Sequence, residues 1–142
     1  MSSAVKSLST CIFCKIIKGE IPSFKLLETE FTFSFLDINP LSKGHSLVIP
    51  KFHGEKLHDV PDEYLADTLS IAKKIAIAQG AENYNILQNN GRIAHQLVDH
   101  VHFHVIPKPS DSKAEGLVVE WPQQTPSKEE LAEVHAELMG KS

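Results

Sequence analysis

A chain of 142 residues is the size of one domain built around one hydrophobic core. Hydrophobic residues make up 42% and charged residues 23%, with a net charge of −4, which excludes a disordered or fibrous chain and a broad grip on a nucleic-acid polymer. The longest apolar runs are four residues, Cys11 to Cys14 and Ile75 to Ala78, so no membrane span is expected.

Residues 1 to 9 read as a loose tail without the apolar stretch of a secretory signal or the arginine of a transit peptide. The chain is therefore expected in the cytoplasm, with the nucleus as a second compartment. A short helix fits Cys11 to Lys18, with Thr10 as its cap and Gly19 as its stop. Phe24 to Leu36 reads as a hairpin whose second half alternates Phe31, Phe33 and Phe35, the period of a strand with one buried face. Asp37-Ile-Asn-Pro40 closes it, because asparagine before proline disfavours helix. A strand runs from His45 to Ile49. The longest helix is expected from about Pro61 to Gly80, with Leu65, Leu69, Ala72 and Ala76 on its buried face. Strands follow at Tyr84 to Gln88, His100 to Ile106 and Leu117 to Glu120, the first leading into an Asn89-Asn-Gly91 turn. A capping box, Ser127 to Glu130, starts a last helix with Leu131, Val134 and Leu138 on one face. Hairpin-linked strands with few helices predict an α+β domain on an antiparallel sheet.

The census holds eight histidines, four of them between His95 and His104, and two cysteines three positions apart. In a strand, His100, His102 and His104 share one face at successive spacings of roughly 7 Å, while Val101, Phe103 and Val105 face the core. Three imidazoles in a row suit either a catalytic metal site or covalent catalysis by a neutral imidazole on an electrophile such as phosphorus. Spacing alone does not choose. Cys11 and Cys14 lie on one side of a short helix and allow three readings: a disulfide, disfavoured without a secretory signal, a redox pair, whose fold context is absent, and a zinc site, which needs two more ligands and stands against two buried reduced thiols.

The segment His100-Val-His-Phe-His104-Val-Ile-Pro107 reads H-x-H-x-H followed by apolar residues and resembles the motif of the histidine triad (HIT) superfamily. Phe35-Leu-Asp-Ile-Asn-Pro40, His45-Ser-Leu-Val-Ile-Pro-Lys51 with His53, and Asn89 to Gln96 are similar to family blocks in the same order. From Cys11 to about Pro122 the chain looks like a Hint-type nucleotide-binding protein, with residues 1–10 as a tail and 123–142 as a helical extension of unassigned role. The resemblance implies a HIT-like fold with a five-stranded antiparallel sheet, one long helix and one or two short ones, assembled as a homodimer.

The activity it implies is hydrolysis of purine nucleoside 5′-phosphoramidates, such as adenosine 5′-monophosphoramidate or AMP-lysine, through a nucleotidyl group on His102. His104 stands near the phosphate to stabilise charge or the leaving group. Asp37 takes the ribose hydroxyls, Ile38 lies against the base, and Asn89 faces phosphate and ribose. His95, Gln96 and Leu97 match the phosphate loop. Here the chain departs from the pattern, since His95 stands where glycine is common and Leu97 where a serine or threonine hydroxyl often contacts phosphate. Trp121-Pro122 matches a pair that reaches toward the partner subunit's site. A subset of the superfamily opens with C-x-x-C and binds zinc; in it the remaining ligands match His53 and His100. Cys11, Cys14, His53 and His100 then hold one structural Zn²⁺ per subunit, with no organic cofactor. A dinucleoside-polyphosphate hydrolase and a nucleotide-binding regulatory module are the alternatives. His45, His58 and His135 are read as ordinary polar residues.

Overall fold

Period-two patterning sorts the strand side chains of this chain between two helices. In a computed structural model, which describes residues 6–141, β1 (Lys25–Glu28), β2 (Thr32–Leu36), β3 (Ser46–Pro50), β4 (Tyr84–Gln88) and β5 (Phe103–Pro107) form one antiparallel sheet in the order β1-β2-β3-β5-β4. Three α-helices accompany it: α1 (Ile12–Ile17), α2 (Thr68–Gln79) and α3 (Lys128–Lys141). Phe33 and Phe35 pair across the ladder with Ile49 and Leu47, and all four pack on Phe13 and Ile16 of α1. The alternate residues Val48 and Val105 meet Ile71, Ala72, Ile75 and Ala76 of α2. Helix α2 ends at Gly80, whose φ of 69° is the left-handed stop that glycine adopts without a Cβ penalty. This is the expected α+β architecture.

Five local expectations are corrected. Cys11, not Thr10, caps α1, its Sγ accepting from Cys14 N–H at 3.4 Å. Residues 6–10 of the expected loose tail are tied down: His53 N–H donates to Lys6 O at 2.6 Å and Leu8 N–H to Cys14 Sγ at 3.5 Å; residues 1–5 lie outside the described ones. The expected helix from Pro61 breaks into a single turn, Asp62–Tyr64, before α2 begins at Thr68. Tyr64 is buried against the rings of Phe31 and Phe52, and Asp67 is drawn to the sheet by the hydroxyl of Thr32 at 2.5 Å. Of the expected buried face, Ala72 and Ala76 are buried and are joined by Ile71 and Ile75, whereas Leu65 is half-buried and Leu69 is 62% exposed. Strand β5 begins at Phe103 rather than His100, because Val101 N–H is spent on Gly54 O and the His100 carbonyl faces the His102 ring. Leu117 to Glu120 is not a strand and pairs with neither edge of the sheet. The capping box at α3 forms as read, with Glu130 N–H on Ser127 Oγ and Ser127 N–H on Glu130 Oε1.

Candidate active site

The histidine segment brings its three rings to the face of the sheet that α1 covers. Phe13 of α1 stands edge-on to both His100 and His102, with ring centroids 5.8 and 5.2 Å away, and the rings of His102 and His104 are 5.0 Å apart. The shared face expected from alternation is therefore kept even though only His104 lies within β5. Val101 and Val105 are fully buried on the opposite side, as expected for the core face.

Backbone groups decide which nitrogen of each ring is free. His102 Nδ1 lies 2.7 Å from the carbonyl oxygen of His100. A carbonyl only accepts, so Nδ1 carries the proton and Nε2 keeps its lone pair. His100 Nε2 lies 2.9 Å from Pro50 O, so there the proton is on Nε2 and Nδ1 is the lone-pair nitrogen. The third ring obeys a longer chain. Leu41 N–H donates to His45 Nδ1 at 3.0 Å, which forces the His45 proton onto Nε2. That Nε2–H points at His104 Nδ1, 2.9 Å away, and leaves His104 with its own proton on Nε2. Asp37 Oδ2 stands 3.5 Å from the same His45 nitrogen.

His45, read from sequence as an ordinary polar residue, is thus a buried part of the site with 3% of its surface exposed. The available signal was its position at the head of the strand that pairs antiparallel with the triad strand, where Leu47 faces His104. His58 and His135 are exposed, as expected.

Cys11, Cys14, His53 and His100 come together with their ligand atoms within 4.8 Å of one another. The sulfur-to-nitrogen separations are 3.4 Å for Cys11 to His100, 3.4 Å for Cys14 to His53 and 3.6 Å for Cys14 to His100, in each case to Nδ1. A tetrahedral zinc with ordinary bond lengths needs an S···N edge of about 3.6 Å, so the donor set fits such an ion. Two further features agree. Each histidine presents Nδ1, and the buried Nε2 of His53 has no hydrogen-bond partner, as though its orientation were set by the other nitrogen. Leu8 N–H and Cys14 N–H point at the two sulfurs, the support a thiolate requires. Asp37, His45 and His104 also converge. The Leu41 N–H on His45 Nδ1 makes that trio a proton-bearing chain instead of a cage of lone pairs.

Burial is the first cause of every histidine shift at the site. It pushes His100 down to about 4, the charges of His53 and His102 adding to this and the Pro50 carbonyl opposing it. His104 is pushed to about 4 by burial and by the charges of His102 and His45, with Asp37 opposing. Burial also lowers His102, against its bond to the His100 carbonyl, and lowers His45 and His53. The site is built for neutral imidazoles, the form in which a ring nitrogen attacks or ligates.

Of the remaining sequence-predicted residues, Asp37 is tied to this centre through His45. Asp37 follows β2, its Oδ1 accepting from Asn39 N–H at 2.8 Å, and beside it Ile38 is 79% exposed. Asn89 Nδ2 donates to His95 O at 3.2 Å. Gln96 is buried and holds the loop: Gly91 N–H donates to its Oε1 at 2.7 Å, and its Nε2 donates to Glu55 O and Val98 O. The amides of Ala94, His95 and Gln96 are spent inside the loop and that of Val101 on Gly54 O, which leaves those of Leu97 to Asp99 before the triad for a phosphate. His95 adopts a φ of 71°, the sole positive φ at a non-glycine among the described residues, at the position where the family pattern favours glycine. Leu97 is exposed and its side chain offers no hydrogen bond. Trp121 is 70% exposed and lies outside the core of its own subunit.

An antiparallel sheet thus carries a tautomer-locked histidine row beside a Cys₂His₂ cluster, and the sequence comparisons place this arrangement in a family. The HIT domain family matches residues 18–111. The adenosine 5′-monophosphoramidase HNT1 of Saccharomyces cerevisiae is 57% identical over 99% of this chain and 88% of its own length. The adenosine 5′-monophosphoramidase of Schizosaccharomyces pombe is 57% identical over 93% of this chain and 98% of its own. Among solved structures, the histidine triad nucleotide-binding protein from Candida albicans superposes with a TM-score of 0.87 and 54% identity, covering 93% of this chain and 96% of that one. A HIT family protein from Bacillus subtilis gives a TM-score of 0.87 at 37% identity, covering 94% and 98%. The chain belongs to the HIT family.

Proposed function

We propose that the protein hydrolyses purine nucleoside 5′-phosphoramidates of the adenosine 5′-monophosphoramidate type, with His102 as the nucleophile. The observation that carries this reading is the 2.7 Å contact of His102 Nδ1 with the His100 carbonyl, which leaves Nε2 as the attacking lone pair. Nε2 bonds to the α-phosphorus, the P–N bond breaks, and the amine departs. Water then attacks the nucleotidyl-histidine and releases the nucleoside monophosphate. Bonding to phosphorus places positive charge on the His102 ring, and its Nδ1–H stays anchored on the carbonyl. His104 carries its proton on Nε2, the donor for charge that develops on the phosphate or the leaving nitrogen. Asp37 receives the ribose hydroxyls through its carboxylate and the exposed Ile38 lies against the base. Asn89 positions the loop from which the amides after Gln96 meet the phosphate.

Cys11, Cys14, His53 and His100 hold a zinc ion with four protein ligands and no open position, so its contribution is to tie α1 and the N-terminal segment to the sheet. The second copy of a homodimer adds along β4, whose outer edge is unpaired among the described residues and whose Tyr84 and Ile86 are exposed.

The test is a comparison of kcat/KM for adenosine 5′-monophosphoramidate and AMP-lysine with that for diadenosine polyphosphates. Preference for the phosphoramidates is expected. Preference for the polyphosphates contradicts the substrate class while leaving the nucleophile in place.

A further inference from the structure

The C-terminal segment leaves the body of the protein and is not covered by it. Among the described residues its last backbone hydrogen bond to the body is Gly116 N–H on Leu41 O at 2.8 Å, and every residue from Val118 to Lys141 is exposed. A helix of 14 residues with no buried face is marginal by itself in water, whatever its cap. Helix α3 nevertheless carries an apolar stripe through Leu131 and Val134, 54% and 49% exposed. Glu130 and Glu133 each precede a stripe residue by one position, so they line a single flank of it.

The body presents the complement. A groove of about 560 Å³ runs between α2 and the β1–β2 hairpin, lined by Leu26, Leu27, Leu36, Ile75 and Ala78. Lys74 stands on its rim, outside every ion pair among the described residues. The groove also touches Gly44, close to the Leu41 that anchors Gly116, so the connecting segment is long enough to fold back. The chain does not take that course. An apolar helix and an apolar groove of opposite charge, held apart in one chain, are the two halves of an exchanged contact.

We propose that α3 is an exchanged arm, which docks in the groove between α2 and the β1–β2 hairpin of a second copy, with Glu130 and Glu133 meeting that copy's Lys74. The arrangement is reciprocal, so each copy gives one helix and receives one. It rests on the homodimer reading above and assigns the extension after Pro122 to holding the pair together.

Sedimentation of the full chain combined with hydrogen exchange tests it. The α3 amides are expected to be protected at concentrations where the chain is a dimer and to lose protection on dilution to monomer. Leu131→Glu with Val134→Glu is expected to raise the dimer dissociation constant at least about 100-fold and to abolish that protection. Lys74→Glu is expected to weaken the dimer several-fold, and adding Glu130→Lys and Glu133→Lys to restore it. Protection of α3 in the monomer overturns the exchange, as does a dimer with unprotected α3 or a Lys74→Glu variant of unchanged affinity. A chain that stays monomeric at every concentration overturns the dimer reading itself.

Discussion

His100 and His104 stand four residues apart in one segment, and burial pushes both to about 4, yet their surroundings assign them different work. His100 donates through Nε2 to Pro50 O and turns a lone pair on Nδ1 toward two sulfurs. His104 receives at Nδ1 from His45 and keeps a proton on Nε2. Between them His102 donates through Nδ1 and keeps its lone pair on Nε2. Burial makes all three rings neutral; a carbonyl, or an amide acting through a second histidine, then decides which nitrogen of each is free. On the proposed reading, the same residue type serves as ligand, nucleophile and donor within five positions.

The comparison breaks most severely at its centre. His102→Ala is expected to lower kcat for adenosine 5′-monophosphoramidate by at least about 1,000-fold, with AMP affinity within a few-fold of wild type by calorimetry. A variant that loses affinity in parallel with turnover would make His102 a binding residue. At the ligand end, Cys11→Ser with Cys14→Ser is expected to take zinc from one per chain to none and to lower Tm by about 10 °C or more, with residual activity. A double variant that folds well but is wholly inactive would move the metal into the chemistry and erase the division between His100 and its neighbours.

At the donor end the expected effects are smaller. His45→Phe removes the proton that fixes His104 and is expected to cost about 10- to 100-fold in kcat with little change in KM. A change confined to KM would show that His45 only shapes the pocket. The smallest effect concerns pH. An unfolded imidazole takes its proton near 6.5, whereas folded His104 does so near 4, so between these values the unfolded chain binds more protons. The associated stability is fully present above about pH 6.5 and is lost as pH falls toward 4. His104→Asn is expected to flatten the dependence of Tm on pH across that window, and a variant with the wild-type slope would deny His104 its buried neutral state.

Features that depend on neighbours in sequence were legible beforehand. The shared face of Phe33 and Phe35, the spacing of the histidines, Gly80 as a stop and the Ser127 to Glu130 box are local chemistry and appear in the fold. Phe31, by contrast, falls before β2 and packs with Tyr64 and Phe52, and Thr32 and Ser34 bury the strand's second face as well. The cysteine–histidine cluster became legible through the resemblance of several blocks to one family, since C-x-x-C alone allows three readings. What was missed depends on contacts distant in sequence. His45 reads as a strand-flanking polar residue until β3 pairs with β5 and sets it against a ring 59 residues away. Residues 6–10 read as a tail until the Lys6 carbonyl meets the amide of His53. The break before α2 arises because Thr32, on a different element, claims the Asp67 carboxylate.

The central claim is that a backbone carbonyl arms Nε2 of His102 for attack on phosphorus. It is tested most directly by rapidly quenching a reaction with adenosine 5′-monophosphoramidate and mapping the adduct by mass spectrometry of the digested chain. One adenylate is expected on the peptide containing His102, bound through a bond that is labile in acid, and none after His102→Ala. An adduct on another residue, or full turnover with no adduct at any quench time, would contradict it.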